Sequence, residues 1–385
     1  MLAAVGEGGR DGGFKLAAWN IEWADRLLTA LGQEGSEAAP AAKRAAAIAS
    51  QIRRIDADIL VINEGPRGEA RATEFFTIVA PDYRLVTRGD DTAYGIEGAQ
   101  WIWFLLHRRL PADGRLLHLD RYEALTAAGS GGFFARKWPV AMPRFVKAVA
   151  ADGTASLSYD PARLHQHYRT PQLLLVGMDG FRFEVIGCHL KSKHIGMFTP
   201  SGILAPDGFA KHPEFVARVV EARAKLTTEA ANVRAYMDAR FLEDPDYAAI
   251  VAGDLNDGPG KERIERQFLL HDLVTNIQGD IFAASRFLNH ALFDMADAQR
   301  WTVRFRDRID PRRREEILLD HVLFTQAFTG PDREGAVPFR ALRQGGQVEH
   351  RAHHEANAGL AAALTTSDHR PVSMRFARRL PPAVP

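Results

Sequence analysis

Tyr247-Ala248-Ala249-Ile250-Val251-Ala252-Gly253-Asp254-Leu255-Asn256-Asp257 is an apolar run that stops at a glycine and turns acidic. A short continuous apolar run without helical spacing reads as a strand buried on both faces. Asp254 or Asn256 alone would be a strand-end turn residue. The string also resembles half of a calcium loop, but Pro259, Gly260 and Lys261 break the rest of that pattern. The same design, an apolar strand closed by polar residues, recurs along the chain.

Working outward, Phe14-Lys15-Leu16-Ala17-Ala18-Trp19 is a strand ending at Asn20. Pro40 opens a helix whose Ile48, Ile52 and Ile55 share one face. Asp58-Ile59-Leu60-Val61-Ile62 is a second buried strand, and Trp101 to Leu106 a third. Leu173 to Val176, a turn at Asp179-Gly180, and the strand from Phe181 to Ile186 form a hairpin. An amphipathic helix spans about Pro213 to Leu242. Further strands are expected at Ile317–Phe324 and Pro371–Phe376, while 111–165 gives no clear pattern. Strands alternating with helices predict an α/β protein. With no linker between the segments, 14–378 reads as a single domain, with 1–13 and 379–385 as flexible termini.

Composition narrows the classes. The 385 residues are 46% hydrophobic and 25% charged, ordinary for a globular protein, and the net charge of +1 gives no basic coat for gripping nucleic acid. The single cysteine, Cys188, excludes an internal disulfide and reads as a buried apolar residue. There is no signal-peptide pattern and no apolar run of about 20 residues, so the expectation is a cytoplasmic protein without a membrane segment or an obligate protein partner.

The strand ends carry the chemistry. They are Asn20-Ile21-Glu22, Asn63-Glu64, His189-Leu190-Lys191-Ser192-Lys193, Asp254-Leu255-Asn256, Asp320-His321 and Ser367-Asp368-His369. Each is weak alone: Glu64 could be a solvated carboxylate, and Ser367-Asp368 a helix cap. Together they complement one another. Hydrolysis of a phosphate ester by water needs carboxylates for a hard cation, and Glu64 with a second acid would serve. It needs an oriented base, for which His369 with Asp320 is a candidate pair. It needs donors for growing phosphoryl charge, and His189, Asn20 and Asn256 fit.

In this order and approximate spacing, the six strings resemble the endonuclease/exonuclease/phosphatase superfamily, over nearly the whole chain from Phe14 to Phe376. The nearest-looking branch is bacterial, with Arg169-Thr170-Pro171 before the hairpin and His189 to Lys193 after it. The resemblance implies a four-layered sandwich, two mixed β-sheets face to face with helices outside. It implies a phosphoesterase dependent on Mg²⁺, or Mn²⁺ or Ca²⁺, with Glu64 as principal ligand and Asn20, Glu22 and Asp368 beside it. His189, Asp254, Asn256, Asp320, Asp368 and His369 would be catalytic, with Asp254 and His369 both open as the proton acceptor. Asn63 stands where Gln is usual, Gly65-Pro66-Arg67 replaces an apolar continuation, and Glu22 stands where several nucleases carry Asp.

Lys191 and Lys193 are candidates for a phosphate outside the metal, with Asn20 inside it; a solvated loop is the plain alternative. Arg304, Arg306, Arg308 and Arg312 to Arg314 could track a DNA strand, although Asp307, Asp310, Glu315 and Glu316 offset them. DNA is therefore the leading substrate. A small phosphate ester or lipid head group is the alternative, and an inactive scaffold of the same fold the third reading. His350, His353 and His354 invite a zinc reading, but without cysteine or a His-Glu-x-x-His pattern they read as a polar loop.

Overall fold

The computed structural model describes residues 12–35, 38–117, 137–146, 151–154, 156–258, 262–268, 273–330 and 336–379. Most of the two expected flexible termini falls outside these residues.

The chain forms two mixed sheets packed face to face. The seven-stranded sheet runs Phe339–Ala341, Val372–Arg378, Phe14–Asn20, Ile59–Gly65, Trp101–His107 and Tyr83–Val86, with Gln347–Val348 also on Val372–Arg378. The six-stranded sheet runs Asn289–His290, Asp320–Phe324, Ala249–Asp254, Phe181–His189, Gln172–Met178 and Ala112–Leu116. Each contains one parallel pair: Phe14–Asn20 with Ile59–Gly65, and Phe181–His189 with Ala249–Asp254.

The two-residue period of a strand explains the layering. Phe14, Leu16, Ala18, Ile59 and Val61 turn inward and meet Leu174, Val176, Val185, Ile250 and Ala252 of the other sheet. Phe14 stacks on Phe183 at 5.2 Å and on Phe376 at 4.7 Å. The intervening Ala17, Trp19, Leu60 and Ile62 turn outward against Ile48, Ile52, Ile55 and Phe75 of the helices Ala38–Ile55 and Glu69–Val79. On the far side, Ile186, Cys188, Ala249 and Val251 pack on Leu226, Ala230, Val233 and Met237 of the helix Pro213–Glu243. Helix, sheet, sheet, helix is the four-layered architecture expected. Strands covered on both faces must be apolar at every position, which is why their sequences run without alternation.

The hairpin turn is also as expected. Asp179 and Gly180 both have positive φ, 54° and 75°, the backbone of a two-residue type I′ turn. Cys188 is fully buried, and burial pushes its thiol well above the usual range, as the reading of a small core residue requires. No helix among the described residues is long and apolar enough to cross a membrane.

The expected strand Ile317–Phe324 is two strands instead. Glu316–Ile317 pairs with Val303–Arg304, and Asp320–Phe324 enters the six-stranded sheet. Backbone groups at the break are not left idle: Leu319 O accepts from Leu255 N at 2.9 Å, and Leu319 N donates to Thr302 Oγ1 at 3.0 Å.

Candidate active site

The parallel pairs bring Asn20 beside Asn63 in one sheet and His189 beside Asp254 in the other, and antiparallel pairing sets Asp320 opposite Asp254. Face-to-face packing then joins these strand ends. Asn20 Nδ2 donates to Glu64 Oε1 at 3.1 Å and to Asp254 Oδ2 at 3.0 Å, one side chain linking a carboxylate of each sheet. Asn63, fully buried, donates through Nδ2 to Cys188 O at 3.0 Å and accepts at Oδ1 from Asp254 N at 2.9 Å. Asn63 thus fastens the sheets behind the site. Its neighbour Gly253 has φ 135° and lies so close that a Cβ there would stand 2.0 Å from Cys188 O.

Backbone strain concentrates here. Glu22, Trp23, Glu64 and Asn256 all take positive φ, between 51° and 58°, where L-residues other than Asn and Asp are uncommon. Hydrogen bonds hold these conformations. Glu22 N donates to Asn20 Oδ1 at 3.0 Å, Trp23 N to Glu64 Oε2 at 3.0 Å, and Asn256 N to Asp254 Oδ1 at 2.8 Å. Asn256 Nδ2 is itself spent on Leu190 O at 2.9 Å, so the residue shapes the loop as much as it faces the site.

His369 Nδ1 lies 2.7 Å from Asp320 Oδ2. Ser367 positions this histidine: its Oγ donates to Asn20 O at 2.7 Å and accepts from His369 N at 2.9 Å. Burial alone would lower the His369 pKa, but the charges of Asp320 and Asp254 raise it to about 10, so the ring is cationic at neutral pH. Asp254 is fully buried, and that desolvation, with Asp320 adding to it against the pull of His369, pushes it up to about 7. His189 lies with Nε2 3.5 Å from Asp254 Oδ2 and 4.0 Å from Glu64 Oε1. Its pKa is held well below the ordinary value by burial, then by Arg169 and His369, so it is neutral. Among the described residues its Nδ1 has no hydrogen-bond partner, and neither does Asp320 Oδ1.

Two groupings have the donors for a cation. Asp254, Asp320 and His369 are buried and offer ligand atoms within 4.8 Å of one another. Glu22, Glu64 and Asp368 form the other: burial, then Asp368 and finally Glu64 raise the Glu22 carboxyl, which marks their mutual repulsion, while Arg44 opposes it from 3.6 Å. The second is all oxygen, the donor type a hard cation takes, but its carboxylates are not gathered as closely as the ligand atoms of the first. In the first, His369 Nδ1 is already bonded to Asp320 Oδ2, which leaves only its Nε2 for a metal.

The sequence expectations for the lysines meet a different arrangement. Lys193 Nζ is taken up by Asp257, Glu262 at 2.9 Å and Glu265 at 2.6 Å. Lys191 Nζ turns back onto Ser192 O and His194 O of its own loop. Of the arginine run, Arg304 is 3.5 Å from Glu316, Arg313 2.8 Å from Glu262 and Arg314 3.1 Å from Asp297. Residues not singled out from sequence as part of the site are Asn63 as the fastening, Ser367, Arg44 and Arg169. Arg169 Nε donates to His189 O at 3.0 Å and Nη2 to Leu190 O at 2.6 Å. Its place in the Arg169-Thr170-Pro171 string was the available signal.

No protein-family model matches the chain, and no curated protein matches it. Among solved structures it is similar to truncated TDP2 of Caenorhabditis elegans, at TM-score 0.46 and 14% identity over 95% of this chain and 98% of that one. It is similar to an endonuclease/exonuclease/phosphatase family protein of Bacteroides thetaiotaomicron, at 0.46 and 15% over 96% and 98%. A mannosyl-6-phosphatase of the same organism gives 0.46 and 15% over 94% and 99%. At these values the likeness decides nothing about activity.

Proposed function

We propose that the chain is a divalent-metal-dependent phosphoesterase of the endonuclease/exonuclease/phosphatase kind, cleaving a phosphodiester by direct attack of water. One observation carries the reading. Asp254, raised to about 7, the neutral His189 and the cationic His369 converge beside Glu64, so that base, neutral donor and cation lie in one cluster. Groups whose environments drive their pKa values apart are the usual mark of divided acid and base duties.

Asp254 takes the proton of the attacking water, since a base near neutral pKa combines availability with driving force. Asn20 holds the Asp254 carboxylate, and Asn256 fixes the turn behind it. His189 donates to a phosphoryl oxygen, and His369, steadied by Asp320, opposes the charge that grows in the transition state. Glu64, Glu22 and Asp368, with Asn20 Oδ1 near them, are the oxygen set that would hold Mg²⁺ or Mn²⁺. Such a cation supplies Lewis-acid stabilisation of phosphoryl charge when bound.

DNA is the first substrate to test. The ion pairs that occupy Lys193, Arg313 and Arg314 favour the second reading, a small phosphodiester, because they remove much of a backbone-tracking groove. Nicking of supercoiled plasmid across a salt series, beside bis(p-nitrophenyl) phosphate under the same metal conditions, tests both. Turnover of the small ester with no nicking at any salt selects the second. No turnover of either, nor of RNA, single-stranded DNA or phosphomonoesters, overturns the hydrolytic reading.

A further inference from the structure

A second pocket opens immediately beside the candidate active site, and its chemistry is of one sign. The cavity is about 680 Å³, and Trp301, Arg304, Arg370, His350 and His353 are among its walls. No carboxylate lines it. It is tied to the site at two places: Arg370 directly follows His369, and Thr302, next to Trp301, accepts at Oγ1 from Asp320 N at 3.2 Å.

Trp301 acts as a platform for cations. The Arg370 guanidinium lies 3.9 Å from the centre of its ring, that of Arg304 4.7 Å, and the His350 ring 4.7 Å. Cation–π attraction is worth about 0.5–2 kcal/mol per contact and helps to hold two like charges on one ring. Arg304, itself exposed, is paired with Glu316 at 3.5 Å. The Arg370 guanidinium has no hydrogen bond or ion pair with any described residue. His353 adds a buried Nδ1 without a partner.

These features select among ligands. A nucleobase stacking on Trp301 would have to displace the guanidiniums already seated there. A zinc ion would meet two cations and no carboxylate, and His350 Nε2 is already engaged by Gln299 O at 2.8 Å. A phosphate satisfies the set: it brings negative charge and several acceptor oxygens to the guanidinium of Arg370, and a second anion to that of Arg304 beside Glu316.

We propose that the pocket of Trp301, Arg304 and Arg370 binds a second phosphate group of the substrate, adjacent to the phosphate that is cleaved. This rests on the hydrolytic reading for the identity of the neighbouring site. The second phosphate belongs either to the next position of a nucleic-acid strand or to a small bisphosphorylated molecule.

The test is equilibrium binding by calorimetry in excess chelator, with two ligand pairs. One is thymidine 3′,5′-bisphosphate against thymidine 5′-monophosphate, and the other fructose 1,6-bisphosphate against fructose 6-phosphate. In at least one pair the bisphosphate should bind about tenfold tighter or more, as a charge-assisted contact implies. Arg304→Gln and Arg370→Gln should each remove most of that preference, whereas Arg314→Gln, on the exposed pair with Asp297, should not. The pair that shows the arginine-dependent preference identifies the source of the phosphate. Equal binding within both pairs, or a preference that survives both pocket substitutions, overturns the proposal. Bis(p-nitrophenyl) phosphate, which carries one phosphorus, is assayed in parallel: its hydrolysis tests the neighbouring site alone, so the two readings fail separately.

Discussion

Asn63 and Asp254 join the two sheets at the floor of the site: the backbone N–H of Asp254 donates to Asn63 Oδ1 at 2.9 Å, across the interface between layers. The side-chain Nδ2 of Asn63 in turn donates to Cys188 O at 3.0 Å. Asn63→Ala would leave a buried donor and a buried acceptor unpaired, at roughly 1–3 kcal/mol each. We expect a lower Tm together with a fall in kcat larger than the loss of folded protein explains. A variant that melted earlier but turned over normally would make Asn63 structural only.

The proposed metal dependence rests on the oxygen donors of Glu22, Glu64 and Asp368. Activity should vanish in EDTA and return with Mg²⁺ or Mn²⁺ but not with a monovalent salt. Glu64→Gln should weaken metal binding, read by titration calorimetry, while circular dichroism stays unchanged. Full turnover in excess chelator, with no metal found by elemental analysis, would remove the cation from the account.

The pH profile should be bell-shaped, and its sign comes from the two displaced groups. Asp254 must be ionised, so kcat/KM should rise with pH through about 7. His369 must be protonated, so the rate should fall again as pH passes about 10. The apparent values belong to the coupled pair. Asp320→Asn withdraws the charge that raises His369 and should shift the alkaline limb toward neutral. An unmoved limb would show that His369 is not the group titrating there.

His189→Ala and His369→Ala should each lower turnover by at least about a hundredfold. Asp320→Asn should reproduce part of the His369→Ala loss. If both histidine variants kept more than about half of the activity, the roles given to them would fall.

Glu229 supplies an acid-sensitivity test away from the chemistry. It is buried, accepts from Lys191 N at 2.7 Å and faces His165 at 3.0 Å. Burial alone would raise its pKa, but His165 and His167 draw it down to about 2. A depressed carboxyl stabilises the fold above its unfolded value and loses that contribution as pH falls from about 4.5 toward 2. The shift corresponds to about 3 kcal/mol. Glu229→Gln should be less stable at neutral pH and show a flatter stability profile over that range, measured by urea unfolding.

The sequence carried the core strands and the polar residues that close them, because a strand buried on both faces has to be apolar throughout and its end has to be polar. Other parts had no local signature. Ala112–Leu116 sits at the sheet edge with Asp113, Gly114 and Arg115 in it, so it shows no strand pattern. Ile317 to Phe324 is one apolar stretch that serves two different partners, and hydrophobicity does not say where one ends. Lys193 follows His189 closely enough to suggest a shared phosphate. Its actual partners, Asp257, Glu262 and Glu265, come from a distant segment that only folding brings near.

The pairing of Phe14–Asn20 with Val372–Arg378 sets a condition on synthesis. The first strand of the described fold takes its antiparallel neighbour from the last, with Phe14 opposite Phe376. While the ribosome is still at work, the edge of that strand stays open, and His369 has not yet reached Asp320. The site proposed for hydrolysis therefore cannot assemble until the segment carrying Val372–Arg378 docks, and for that interval the exposed edge is open to chaperones.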